Sequence, residues 1–382
     1  TLRQPQTQGL WSAVDADATG VCRLADLSWQ AYWLCRWQDE VEVHPRIPPF
    51  LDAYVTRLLS LQKHGGHIPA GVDPTTGHAE RFQARTAATA LHLMLLCRYH
   101  RVRKDARVLQ AARRAANFVI RAIIKPRQWT AGAPSASQRR GAPQPDRAAP
   151  RQALAMWWTA QGLLELHIAT RNARYLSYGL RAVDDLLLLQ QIWDPPFVPI
   201  ACFGGFGAGT PGVHWNIAPH ALFATTLCEY YRITGIPAYF TRGVAAVRAA
   251  IGMINCLENT IVAPLAADAP RGWTPAALAL SEPLSPISTL VAAPHAYEPA
   301  AMVLAAQELI WRTYGDLYVD TSRSQAFGIN GVVVIRVHRD LAGHAVYGRE
   351  ALGVPRTITV RSDSGQSLTL TLKPRAAFEF QL

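Results

Sequence analysis

Cys202-Phe203-Gly204-Gly205-Phe206-Gly207-Ala208-Gly209 opens the stretch that decides the fold, which runs on through His214-Trp215-Asn216 and His220 to Ile254. The glycine-rich loop feeds two helical segments, Ala218–Thr234 and Pro237–Ile254, joined by the short turn Thr234-Gly235-Ile236. Each segment carries apolar residues at helical spacing, so each has one face to bury.

The same plan recurs upstream. Apolar periodicity predicts helices over Leu24–Asp39, Phe50–Gln62, Phe82–Arg101, Asp105–Ile124, Arg151–Thr170 and Ala173–Gln191, with a last one over Ala300–Tyr314. Asp105 suits an N-cap or a first-turn acid. Tyr175 in Arg174-Tyr175-Leu176 aligns with Tyr239 in Ala238-Tyr239-Phe240, 64 residues later, and Arg107 lies 68 residues before Tyr175. Gln62 and Gln190 both end leucine-rich helices, and each is followed by a loop containing Gly-Gly. A period of two helices means stacked helical hairpins, each burying its apolar face on its neighbours.

After Ile254 the pattern lapses, and from Gly328 the period changes to two. Gly331–His338, Arg356–Arg361, Ser367–Lys373 and Ala377–Leu382 read as strands, with Asp363-Ser364-Gly365 as a hairpin turn. The expected division is an extension over 1–24, a helical domain over 25–320 and a small antiparallel β domain over 321–382.

Composition bounds the function. With 382 residues, 49% hydrophobic and 17% charged, the chain can build a large core, and disorder over most of its length is excluded. The net charge of +11 comes largely from arginines on helices such as Arg113, Arg114 and Arg121, and solvated helix faces explain it more simply than a polyanionic partner. Six cysteines form no CxxC pair, so no zinc or redox motif is present, and no run is long enough to span a membrane. Gly207-Ala208-Gly209-Thr210-Pro211-Gly212 matches a dinucleotide fingerprint by letter, but no βαβ unit surrounds it. No phosphate-binding loop, no serine-hydrolase elbow and no nucleic-acid module appears. Neither a cofactor nor a metal is implied. His64, His67 and His78 share a loop with Asp73 and Glu80, at no standard metal spacing. A removed signal peptide would place the protein outside the cell or in the periplasm; without one it is cytoplasmic.

The cadence Tyr231-Arg232-Ile233-Thr234-Gly235, then Tyr239-Phe240, Arg242-Gly243 and Ala246, resembles the six-hairpin (α/α)-toroid proteins of carbohydrate metabolism. So do the Leu-Gln pairs followed by Gly-Gly, and Gly205-Phe206 ahead of Trp215. The similarity covers residues 25–315. It implies a mainly α, helical-hairpin toroid of about nine helices where a full ring has twelve, with an oligosaccharide or polysaccharide as partner.

Two chemistries follow from that resemblance. A glycoside hydrolase needs one carboxyl group as general acid and another as general base for water. The candidates in loops are Glu80, Asp194, Glu258 and Glu298, with Trp129, Trp193 and Trp215 as stacking platforms and His67 and His214 as further substrate contacts. The tryptophans depart from the expected pattern, since Thr130-Ala131-Gly132 follows Trp129 and Asn216-Ile217-Ala218 follows Trp215, with no acid nearby. A polysaccharide lyase would instead use Asn216, His220 and Tyr231 to neutralise a uronate and move the C5 proton. A glycan-binding homologue without catalysis is the third reading. The tryptophan stripe Trp29, Trp33 and Trp37 reads more simply as core than as a sugar platform.

Overall fold

The structure, a computed structural model, describes residues 22–72, 86–130, 151–194, 196, 201–207, 209–210, 218–254, 299–341 and 343–382. One compact unit is drawn from residues 1–189 and 208–212, the other from 190–207 and 213–382.

Among the described residues of the first unit are six helices: α1 (Leu24–Glu40), α2 (Ile47–Leu61), α3 (Ala88–Arg103), α4 (Ala106–Val119), α5 (Ala153–Thr170) and α6 (Ala173–Leu187). They fall into two classes. Helix α3 is buried without a break from Ala88 to Tyr99, and α5 is buried almost all round; α1, α3 and α5 pack side by side in that order. A helix that is covered on every side needs no polar face. Gly162 allows the α3–α5 approach, because a Cβ there would lie 3.1 Å from the Ala90 carbonyl oxygen. Helices α4 and α6 are amphipathic instead. Helix α6 buries Tyr175, Gly179, Ala182, Val183 and Leu186, one stripe at helical spacing, against α5. Each large apolar side chain so buried contributes about 1.5–3 kcal/mol.

The turns between paired helices are short and alike. Lys104 and Arg171 take left-handed conformations (φ 55° and 56°), and Asp105 and Asn172 then cap the next helix by accepting from the backbone N–H two residues on. In the second unit Gly235 (φ 74°) does the same between α7 (Phe223–Thr234) and α8 (Pro237–Ile251). Tyr175 and Tyr239 therefore do occupy equivalent places, both buried, four residues past the left-handed residue that starts the turn. The residue matching them in α4 is buried Val108, so the earlier interval is 67 residues, one fewer than the spacing of Arg107 suggests. Helix α4 also continues through a π-helical turn, Ile120–Ile124, which accounts for the longer helix read from sequence.

Two buried polar clusters in the first unit are paired internally. His92 is fully buried, and burial drives its pKa down to about 3. Its Nε2 faces the Pro69 carbonyl at 3.0 Å and must carry the proton, so Nδ1 accepts from the Ser28 hydroxyl at 2.7 Å. The Tyr54 hydroxyl lies 2.7 Å from Ser28 and donates to the Leu24 carbonyl. Arg98, also buried, pairs with Asp39 (2.9 Å) and Glu40 at the C-terminal end of α1. The stripe Trp29, Trp33, Trp37 passes from buried through half-buried to exposed, and its buried member packs edge-on against Trp157 of α5.

In the second unit a 3-10 turn (Ala218–Leu222) leads into α7 and α8, and α9 (Pro299–Tyr314) precedes the sheets. Nine α-helices are thus present among the described residues. Seven strands follow: β5 (Leu317–Asp320), β6 (Gln325–Gly328), β7 (Val332–Asp340), β8 (Gly343–Glu350), β9 (Arg356–Ser362), β10 (Ser367–Leu372) and β11 (Ala377–Gln381). The sequence pattern gives four of these. One sheet has the order β10-β9-β5-β6 and the other β11-β8-β7; all pairings are antiparallel except β5 with β9. Leu317, Val319, Val332, Val346, Ile358 and Val360 fill their core. Phe240 of α8 stacks on Tyr318 and packs against Phe327 and Tyr314, joining helices and sheet within this unit. No helix among the described residues is long and apolar enough to cross a membrane.

Candidate functional site

Paired helices are joined by short turns, and the segments that lead from one hairpin to the next carry His67, Trp129, Trp193 and Asp194 among the sequence's candidate residues. Two of these loops share one device. In the first unit the Gln62 side chain donates to the Gly66 carbonyl (3.2 Å) and to the Ala111 carbonyl of α4 (2.9 Å). In the second, the Gln190 side chain donates to the Gly204 carbonyl (2.8 Å) and to the Arg242 carbonyl of α8 (2.9 Å). Each glutamine therefore latches its own loop onto the next amphipathic helix.

The backbone repeats the match. Lys63 N–H donates to His67 and Gly66 N–H to Lys63; Gln191 N–H donates to Gly205 and Gly204 N–H to Gln191. Gly66 and Gly204 have φ of 90° and 89°, and a Cβ on either would run into the backbone of the helix it touches, at Arg114 or Ala245. Only glycine meets both demands. Beyond the latch, Gly71–Val72 (β2) pairs with Cys22–Arg23 (β1) ahead of α1, and Gly209–Thr210 (β4) pairs with Arg151–Gln152 (β3) ahead of α5.

One difference stands out against this likeness. Gln62 and Gly66 are 4 residues apart, and Gln190 and Gly204 are 14 apart. The second latch thus holds ten additional residues, and these carry Trp193 and Asp194. The Asp194 carboxylate accepts from the backbone N–H groups of Cys202 (2.6 Å) and Phe203 (2.7 Å), which closes the loop at its base. Trp193 is 49% exposed and Phe203 55% exposed. Burial, with Asp194 adding to it, raises the neighbouring Cys202 thiol to about 11, so it is protonated at neutral pH. Phe203 was not singled out as a platform in the sequence; its place at the head of the glycine-rich loop is the signal that marks it.

The other candidates lie as follows. Trp129 is 1% exposed, and its ring N–H donates to Asp185 at 3.1 Å, so both ring faces meet protein. His67 is half-buried and its ring packs on Phe118. His220 is buried, donates from Nδ1 to the Phe206 carbonyl (3.1 Å) and stacks on Phe223. The buried Tyr231 hydroxyl donates to Asp320 at 2.6 Å, with Gln325 also in reach; burial, then this bond, raises its pKa far above the ordinary phenol value. Glu80, His214, Trp215, Asn216, Glu258 and Glu298 lie outside the described residues. Among the described residues no group of three or more His, Cys, Asp or Glu could hold a metal ion, and Cys22, Cys35, Cys97, Cys202 and Cys228 are buried free thiols.

No protein-family model matches the chain, and no curated protein sequence matches it. Solved structures do. A GH76 α-mannanase from Bacteroides thetaiotaomicron superposes with a TM-score of 0.50 at 12% identity, over 76% of this chain and 70% of that one. The fold is the helical-hairpin fold of the (α/α)-toroid enzymes. A second family 76 mannosidase from the same organism gives 0.47 at 10% identity, over 81% of this chain and 94% of that one. A cellobiose 2-epimerase from Bacillus thermoamylovorans gives 0.46 at 10% identity, over 63% of each chain; this chain therefore spans less than two thirds of that enzyme's length. These neighbours are carbohydrate-active enzymes.

Proposed function

We propose that the protein is a carbohydrate-active enzyme, a glycoside hydrolase acting on an oligosaccharide or polysaccharide, and that the extended Gln190–Gly204 loop is part of its substrate surface. The ten-residue extension of an otherwise repeated latch carries this reading. Its aromatic rings, Trp193 and Phe203, are half-exposed, and an exposed indole offers a sugar ring an apolar face with polar edges. The loop is fixed at its base by Asp194 and at its root by Gln190, so the platform is presented with little freedom to lose on binding.

General acid/base work falls to loop carboxylates outside the latch: Glu80, Glu258 and Glu298. Asp194 serves as a positioning residue, since its carboxylate closes the loop. The buried bonds of His220 and Tyr231 favour hydrolysis over β-elimination, because an eliminating base must reach the C5 proton of a polymer.

The test is incubation with neutral and uronic-acid polysaccharides, α-mannans included, following reducing ends and the ultraviolet absorbance of unsaturated uronates together. Reducing ends without absorbance are expected. Substitution of Gln for Glu80, Glu258 and Glu298 in turn should lower kcat by at least about a hundredfold at one position or more. Absorbance rising with the reducing ends, or full activity in all three variants, would sink the hydrolase reading.

A further inference from the structure

The second unit contains a cavity that the carbohydrate reading does not use. Helices α8 and α9 and the chain entering β7 enclose about 400 Å³. A neighbouring cavity of about 260 Å³ shares Val244, Arg248, Val332 and Val333 with it. The first volume falls within the range of small-molecule sites. Its walls are mostly aliphatic, and its lip is apolar and open to water: Trp311 is 41% exposed and Leu352 57%. Apolar side chains left in water around a cavity are an incentive for a ligand that covers them.

Arg248 is the cation common to both cavities. Its Nε donates to the Ile329 carbonyl (3.1 Å), and its Nη2 to the Ile329 (2.6 Å) and Gly328 (3.1 Å) carbonyls. Those bonds fix the guanidinium in place and leave its charge uncancelled. Among the described residues no carboxylate pairs with it. Arg248 is exposed to water at the cavity mouth, and partial desolvation lowers its pKa from the ordinary arginine value. A glycan fits poorly here: its hydroxyls need several convergent partners. The walls offer chiefly Gln307 and Asn330, and the Asn330 amide already donates to Asp316 at 2.9 Å.

We propose that this cavity binds a small amphipathic anion, with an apolar body against Val247, Ile310 and Trp311 and one acidic group on Arg248. The body is an acyl chain or a flat aromatic system; both present the same chemistry, and the measurement separates them.

Isothermal titration of the full chain with dodecanoate, 2-naphthoate and the matching neutral alcohols is the test. One equivalent of one of the acids should bind at least tenfold more tightly than its alcohol, and the tighter acid identifies the body. Arg248→Met should abolish that preference. Because Arg248 also ties down the Ile329 carbonyl, a second variant guards against misfolding. Leu352→Glu, at the exposed lip, removes apolar contact for both ligands and adds repulsion only for the anion, so it should weaken the acid at least tenfold more than the alcohol, with an unaltered thermal melt. The proposal is overturned by the absence of saturable binding for both acids, by equal affinities for acid and alcohol, or by acid binding that neither variant changes.

Discussion

The two glutamine latches are the same object at different lengths. From Gln62 to Gly66 the chain turns as tightly as the geometry permits; from Gln190 to Gly204 it leaves the same anchor, travels ten residues further and returns to the same glycine conformation. The short latch is all scaffold: it seats Ile68 and Pro69 in the interior, where the Thr89 hydroxyl and His92 bond to them. The long latch keeps that scaffold and adds exposed aromatic surface. What the pair teaches is where structure ends and function starts. Residues common to both latches hold the fold; of those present only in the second, Asp194 closes the loop and Trp193 is half-exposed.

The comparison breaks most easily at the glycines. Gly66→Ala and Gly204→Ala should each cost roughly 3 kcal/mol or more, because both add strain at positive φ and overlap with backbone. Urea unfolding would measure this, and a tolerated alanine at one site alone would show that the latches are not equivalent. The glutamines come next. Gln190→Ala should cost about 2 kcal/mol and Gln62→Ala about 1 kcal/mol, since the buried Gln190 leaves its carbonyl partners dry while water can replace the half-buried Gln62. Gln190→Ala should also lower glycan turnover, and Gln62→Ala should leave it intact.

Acid sharpens the contrast between the two units. His92 titrates near 3 in the folded first unit, against about 6.5 when unfolded. The unfolded chain therefore binds the extra proton first. Stability from this group is fully present above about pH 6.5 and falls toward pH 3 by up to about 1.4 kcal/mol per pH unit. In the second unit, burial alone would raise Asp320, but bonds from Ser322, Tyr231 and Arg323 outweigh it and hold the carboxyl below its ordinary value. Its contribution is present above the unfolded carboxyl pKa, about 4, and is lost only as pH falls below that. Unfolding followed between pH 7 and 4 should show the histidine slope, and His92→Gln should flatten it.

The smallest effect on stability is expected where the largest effect on binding lies. Trp193→Ala should change unfolding free energy by no more than about 0.5 kcal/mol and raise KM for the glycan about tenfold. A stability loss above that with unchanged KM would make Trp193 scaffold after all.

Much of this was legible in the sequence, for identifiable reasons. All nine helices were, because long amphipathic or wholly apolar segments separated by short polar turns admit few other readings. Beyond the two-residue strands β1–β4, three strands are not visible in the sequence pattern. Leu317–Asp320 is buried at every position and Gln325–Gly328 is equally short, so neither alternates, and Gly343–Glu350 buries His344, Ala345 and Val346 in succession. A period of two is visible only where one face meets water. Of the candidate site, Trp193 and Asp194 were found as loop residues. Their meaning was hidden, because the extension appears only once the bonds of Gln62 and Gln190 are compared. Trp129 shows the opposite limit: an aromatic in a loop gives no sign of burial until its partner, Asp185, is known to face it.

The latch also has a bearing on how such a protein can change. Lengthening a closed loop from 4 to 14 residues raises its closure cost by only about 1 kcal/mol, because the penalty grows with the logarithm of length. The anchors at either end are indifferent to what lies between them. The span from Gln190 to Gly204 thus behaves as a socket, into which segments of other lengths and chemistries can be grafted, by evolution or by design, while the helices beneath keep their register.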